Sequence, residues 1–187
     1  MNEDGVRRQD SPAGSEPARA SRDPHAGDRV PLHLVVNGAE RIFMVRMHDS
    51  LLDVLRREGY ASVKRVCLTA DCGACSVLMD GLVVDSCATL ALQAENRSIE
   101  TIEGLAGRAG LHPLQETFLR HAAVQCGFCI PGMIMTMKAL LERRPQATAA
   151  EIREAMPLCR CSGYVKPMQA TLDYQARLGQ APGSEGP

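Results

Sequence analysis

Three cysteines fall within the stretch Cys67-Leu-Thr-Ala-Asp-Cys-Gly-Ala-Cys75, and a fourth, Cys87, follows after eleven further residues. The chain holds eight cysteines, and the other four lie closer to its C-terminus: Cys126, Cys129, Cys159 and Cys161. Arg7-Arg8 resembles the start of a twin-arginine export signal, but polar residues and Pro12 follow where an apolar segment should begin. We therefore expect no export signal and a cytoplasmic location, where cysteines are more often metal ligands or catalytic thiols than disulfides.

The first four cysteines have the spacing of a plant-type [2Fe–2S] site, in which a Cys-x4-Cys-x2-Cys loop is closed by a distant fourth cysteine. Gly73 and Ala74 suit such a loop, because small residues let backbone N–H groups approach the sulfides. Structural zinc sites seldom contain this triplet. We predict that one [2Fe–2S] cluster is held by the first cysteine group, Cys67, Cys72, Cys75 and Cys87.

The last four cysteines form two short pairs, Cys126-Gly-Phe-Cys129 and Cys159-Arg-Cys161, with twenty-nine residues between them. Cys129 directly precedes one predicted helix and Cys159 follows another, so the two loops can meet at one end of a bundle. We predict that these residues, the second cysteine group, form one site with four ligands. On spacing alone, a second [2Fe–2S] cluster and a structural zinc ion both remain open, and a disulfide framework is the weakest alternative.

Composition excludes several classes of protein. The chain has 187 residues, 45% of them hydrophobic, which is enough for one ordinary domain or two small ones. A net charge of −1 without any basic block argues against a nucleic-acid partner. No run approaches the ~18 consecutive apolar residues of a membrane-spanning helix, so we expect no membrane association.

Local signals divide the chain into parts. Residues 1–28 are polar and are expected to be a disordered tail. Residues 29–107 show two hairpin turns, Asn37-Gly38 and Asp80-Gly81, a helix capped by Ser50 and a last strand at 99–102, which together predict an α+β domain.

The remainder of the chain is predicted to be helical. Residues 108–178 contain four helix starts, at His112-Pro113, Pro131, Thr148 and Val165, and therefore predict a four-helix domain. Residues 179–187 are expected to be a flexible tail. Met133, Met135 and Met137 cannot share one helix face, so we expect them to pack in a core or at an interface.

Several motifs resemble the iron-sulfur subunit of the molybdenum hydroxylases, the xanthine oxidase and aldehyde oxidoreductase family that includes carbon monoxide dehydrogenase small chains. The resemblance runs from about residue 30 to about residue 175. It is carried by Val63-Lys64, Asp71-Cys-Gly-Ala-Cys-Ser-Val77, Asp80-Gly81, Ser86-Cys87, His112-Pro-Leu-Gln115, Val124-Gln-Cys-Gly-Phe-Cys-Ile-Pro-Gly-Met133 and Leu158-Cys-Arg-Cys-Ser-Gly-Tyr164.

The resemblance implies an N-terminal β-grasp [2Fe–2S] ferredoxin-like domain followed by a C-terminal four-helix [2Fe–2S]-binding domain. It also implies a large partner subunit with a molybdopterin cofactor and a medium partner subunit with FAD, in a dimer of heterotrimers. Electrons would pass one at a time from the molybdopterin centre through the helical-domain cluster and the plant-type cluster to FAD. This chain itself would be non-catalytic. A stand-alone two-cluster ferredoxin and a zinc-stabilised interaction module remain the alternatives, although the near-neutral charge favours a permanent subunit.

The resemblance also implies particular roles and shows particular departures. Gln125 and Cys161 would lie near the pterin cofactor of the large subunit. Val66 and Ala70 stand where the family usually has glycine, and we expect the loop to adopt a variant that avoids positive φ at these positions. Met156-Pro157 replaces a common Gly-Asn, so we expect the preceding helix to end early.

Overall fold

The computed structural model describes residues 29–107 and 110–179, so the predicted N-terminal tail and all but Gly179 of the predicted C-terminal tail lie outside the described residues. The first part of the described chain contains a five-stranded mixed sheet with strand order β2-β1-β5-β3-β4. Its elements are β1 (Arg29–Val36), β2 (Ala39–Arg46), α1 (Leu51–Arg57), β3 (Ser76–Met79), β4 (Leu82–Asp85) and β5 (Ser98–Glu100). Strands β1 and β5 are parallel, and the other neighbouring pairs are antiparallel.

Both predicted hairpins are confirmed. Asn37 and Gly38 have φ values of 52° and 77°, and Asp80 and Gly81 have values of 51° and 76°. Positive φ at both central residues is the requirement of a type I′ turn, which matches the twist of the strands that it joins. The last strand is shorter than predicted, because Ile102 already begins a short 3₁₀ turn.

Strand β1 and helix α1 form the core of this part. Leu32, Leu34 and Val36 alternate with more exposed residues and bury their side chains on one face of the sheet. Helix α1 covers that face with four buried residues and begins at the predicted cap, where the Ser50 side chain accepts a hydrogen bond from the Asp53 N–H.

The four predicted helices are confirmed as α2 (Pro113–Arg120), α3 (Ile130–Arg143), α4 (Ala149–Glu154) and α5 (Val165–Leu178). Thr148 and Glu151 form the predicted capping box of α4, and that helix ends before Met156-Pro157, as expected. Met133, Met135 and Met137 are at most 1% exposed, so α3 is buried on nearly all sides and lies at the centre of the helical part.

Helix α3 also packs on strand β3, and this contact joins the two parts. Leu78 of β3 belongs to the hydrophobic core of the helices. Lys138 of α3 reaches across to Glu100, with 3.1 Å between Nζ and Oε2, and also pairs with Glu142. The α+β class is confirmed. Within residues 29–107 and 110–179, no helix is long and apolar enough to cross a membrane.

Candidate metal centres

The loop that carries the first cysteine group lies between α1 and β3 and curls tightly. Leu68, Ala70 and Gly73 have φ values of 63°, 61° and 67°. Our expectation that the loop avoids positive φ is therefore wrong for Ala70, whereas Val66 does not adopt it. The loop must turn repeatedly to bring three closely spaced thiols together, and each non-glycine residue in this region costs roughly 1–2 kcal/mol.

The thiols of the first group meet in pairs. Cys67 contacts Cys72, and Cys75 contacts Cys87 at the end of β4. The Thr69 N–H points at the Cys67 sulfur from 3.5 Å. Hydrogen bonds from that N–H and from Cys72 lower the pKa of Cys67 to about 6. Burial, together with the neighbouring Cys87 thiol, raises the pKa of Cys75 to about 12. The buried thiol therefore needs a metal cation to become a thiolate at neutral pH.

The second cysteine group shows the same pairing at the ends of the helices. Cys126 contacts Cys161, and Cys129 contacts Cys159. The Phe128 N–H and the Cys161 thiol lower the pKa of Cys126, whereas burial and the Cys159 thiol raise that of Cys129 to about 12. All four cysteines line one small cavity, so the two distant Cys-containing loops are brought together as predicted.

Two side chains organise the loop around Cys159 and Cys161. The Tyr164 hydroxyl accepts a hydrogen bond from the Cys159 N–H at 2.7 Å and so closes the turn. Gln125 lines the same cavity as the four cysteines and lies against Gly163, where a Cβ would approach the Gln125 Nε2 to 2.6 Å. Gly163 therefore leaves the space that Gln125 occupies.

A direct backbone contact connects the two cysteine groups. The Leu158 N–H, next to Cys159, donates to the Cys72 carbonyl oxygen at 2.9 Å. Gly73 faces Pro157, where an added Cβ would come within 2.9 Å of the proline ring. A Cβ on Gly132, in the first turn of α3, would lie closer than 3.0 Å to the Gly73 carbonyl oxygen. We call Cys72, Gly73, Gly132, Pro157 and Leu158 the interdomain clamp.

The residues present suit [2Fe–2S] clusters. All eight cysteines are free, and each group offers four thiols in two contacting pairs, which matches a centre in which each of two irons takes two protein ligands. Within the described ranges, no set of three or more His, Cys, Asp or Glu side chains surrounds a single ion position. Backbone N–H groups directed at the sulfurs favour their charged form.

Comparisons with known proteins agree with this geometry. Residues 34–106 match the family described as a 2Fe-2S iron-sulfur cluster binding domain, and residues 101–172 match the family described as a [2Fe-2S] binding domain. The chain is thus a protein with two [2Fe–2S]-binding domains.

Relatives and solved structures identify the protein family to which the chain belongs. The chain is 44% identical to the nicotine 6-hydroxylase small subunit of Paenarthrobacter nicotinovorans, over 86% of this chain and 98% of the relative. It is also 44% identical to the xanthine dehydrogenase iron-sulfur-binding subunit of Escherichia coli O157:H7, over 79% and 96%. Quinoline 2-oxidoreductase from Pseudomonas putida 86 superposes with a TM-score of 0.77 at 39% identity, covering 82% of this chain and 97% of that one. The chain belongs to the iron-sulfur subunits of the xanthine oxidase family of molybdenum-dependent oxidoreductases, and electron transfer is its function.

Some site residues had no assigned role from the sequence. Leu158, Gly132, Tyr164 and Lys64 lie in the motifs that carry the family resemblance, but the sequence assigns none of them a role. Their roles depend on contacts between residues far apart in the chain, for which the sequence offers no local signal. His112-Pro113 was predicted to start a helix. His112 is the cap of α2, and its Nδ1 accepts a hydrogen bond from the Leu114 N–H at 3.2 Å.

Proposed function

We propose that this chain is the electron-relay subunit of a molybdenum hydroxylase, with one [2Fe–2S] cluster held by each cysteine group. The observation that carries the proposal is the arrangement of the eight free thiols as two sets of contacting pairs. When bound, the two clusters supply one-electron carriers between a molybdopterin centre on a large partner subunit and FAD on a medium partner subunit.

The chain's own contribution is to hold the carriers, to keep them close together and to shield them from water. Cys72, Cys75 and Cys129 are each at most 9% exposed, so one side of each thiol group is closed to solvent. The interdomain clamp fixes the Cys72 loop against Leu158 through a backbone hydrogen bond. No side chain of this subunit is proposed to make or break a substrate bond.

We propose that the second cysteine group faces the large subunit. Cys126 and Cys161 are the exposed members of this group, and Gln125 lies exposed beside them. These residues therefore remain accessible to a pterin held by another chain. The first group would face the FAD subunit through the loop around Cys67, which is partly exposed.

Exposed apolar side chains favour a permanent partner over a free ferredoxin. Phe128, Leu158 and Val165 are 48%, 59% and 70% exposed, and all three lie in or next to the loops of the second group. Several large apolar side chains exposed around one site are typical of an interface with a partner. We further propose a dimer of heterotrimers as the assembly, and the cytoplasm as its location because the thiols must stay reduced until iron binds.

Affinity purification of the tagged chain from its native host tests the proposal. We expect a molybdenum-containing chain and a flavin-containing chain to co-purify in fixed proportion, with a total mass equal to two heterotrimers. A monomeric, partner-free protein that reduces unrelated enzymes would instead support the ferredoxin alternative. Bound zinc without acid-labile sulfide would support the interaction module.

A further inference from the structure

Lys64 connects the two cysteine groups. Its backbone N–H donates to the Ala74 carbonyl oxygen at 3.2 Å, inside the loop of the first group. Its ammonium group lies 5.6 Å from the centre of the Phe128 ring, inside the Cys126-Gly-Phe-Cys129 loop of the second group. The side chain is half-buried, and its Nζ donates to the Ala61 carbonyl oxygen at 2.8 Å. Lys64 therefore contacts both loops, the first through its backbone N–H and the second through its ammonium group.

The charge of Lys64 is not neutralised by a neighbouring acid. Among the residues that the structure describes, no carboxylate lies within ion-pair distance of its ammonium group, whose contacts are a carbonyl oxygen and an aromatic ring. The adjacent Arg65 instead pairs with Asp53, and Lys138, another cation at the domain junction, pairs with Glu100 and Glu142. Neither a carbonyl oxygen nor a ring cancels a full positive charge, so the residue that contacts both cysteine loops carries an uncompensated cation.

We propose that Lys64 is a positioning residue that raises the reduction potentials of both clusters together. This inference rests on the proposed function, because it assumes that both cysteine groups hold clusters. Reduction adds one electron to a four-thiolate centre that is already anionic, and a nearby cation stabilises the more negative state. Lys64 itself exchanges no electron and no proton. Because its charge acts on both centres, it shifts both reduction potentials in the same direction and changes the difference between them little.

Redox titration of the full-length chain, followed by the paramagnetic signals of the reduced clusters, tests the inference. Lys64→Gln removes the charge but keeps a donor, and Lys64→Arg keeps the charge. Arg41→Met is the matched control, because it removes one exposed positive charge from β2, at the edge of the sheet opposite β3 and β4. We expect both midpoint potentials to become more negative in Lys64→Gln, with a smaller change in the gap between them, and to stay near wild type in the other two variants.

The result separates this inference from the proposed function. A wild-type chain without iron and sulfide refutes the proposed function itself. A Lys64→Gln chain with full iron content and unchanged potentials, or with only one potential shifted, overturns the role of Lys64 alone. If Lys64→Gln does not retain its clusters, Lys64→Met replaces it in the titration. That variant also removes the charge, and both potentials must become more negative in it for the inference to stand.

Discussion

Substitution of Gly132 by alanine probes the interdomain clamp most sharply. The added Cβ would lie closer than 3.0 Å to the Gly73 carbonyl oxygen, which is backbone and cannot rotate away. Alanine is intrinsically the better helix former by about 1 kcal/mol. Overpacking at a rigid contact costs about 1–3 kcal/mol. A Cβ this close to a backbone atom places the cost at the upper end of that range, about 2–3 kcal/mol. Because α3 and the Cys72 loop must move apart, we expect the clash to outweigh the helix gain and to weaken the clamp by roughly 1–2 kcal/mol.

The assay is the rate at which the visible absorption of the holoprotein bleaches at a fixed elevated temperature without oxygen. A loss of 1–2 kcal/mol should speed bleaching by roughly 5–30-fold if opening of the clamp precedes cluster loss. Gly179→Ala is the matched control, because its Cβ would lie at an ordinary 3.7 Å from the Ala176 carbonyl oxygen. Equal bleaching rates in wild type and Gly132→Ala would show that this contact does not help to retain the clusters.

Two further predictions concern single hydrogen-bonded side chains. Tyr164→Phe removes the acceptor of the Cys159 N–H hydrogen bond, so it should lower the stability by about 1 kcal/mol. It should alter the paramagnetic signal of the second-group cluster alone. A change in both signals would contradict the assignment of Tyr164 to the second group. Burial opposes ionisation of Asp49, but hydrogen bonds from the Arg46 N–H and from the Arg57 and Arg46 guanidinium groups lower its pKa from 3.8 to about 2. The lowered pKa of Asp49 stabilises the folded chain by roughly 2 kcal/mol at pH values above the unfolded pKa, and this stabilisation is lost as pH falls through the folded pKa. The free energy of unfolding of Asp49→Asn, measured by thermal unfolding, should therefore be lower than that of wild type by about 2 kcal/mol at pH 7 and by roughly 1 kcal/mol at pH 3. A difference that does not change with pH would contradict this role of Asp49.

The structural elements that the sequence predicted well are each determined by residues that are close together in the chain. The Asn37-Gly38 turn, the Ser50 cap and the Thr148 capping box are each set by local backbone chemistry, and all three are present. The spacing of the first cysteine group likewise identified its cluster type, because the loop and the ligands are one continuous segment.

The interdomain contacts could not be predicted in the same way. Gly132 and Gly73 are distant in the chain, as are Lys64 and Phe128, and each pair meets only where the two domains pack together. The positive φ of Ala70 was missed for a related reason. A local rule assigns a cost to that conformation, but the gain that offsets it comes from closing the loop around the cysteines.

Each of the two cysteine groups is predicted to hold a separate [2Fe–2S] cluster. The most direct measurement is the content of iron and acid-labile sulfide, combined with the paramagnetic spectrum of the reduced protein, in wild type and in Cys126→Ala. We predict about four iron and four sulfide with two distinct signals for wild type, and about two of each with only the first-group signal for the variant. Zinc without sulfide in wild type, or loss of both signals in Cys126→Ala, would contradict the claim.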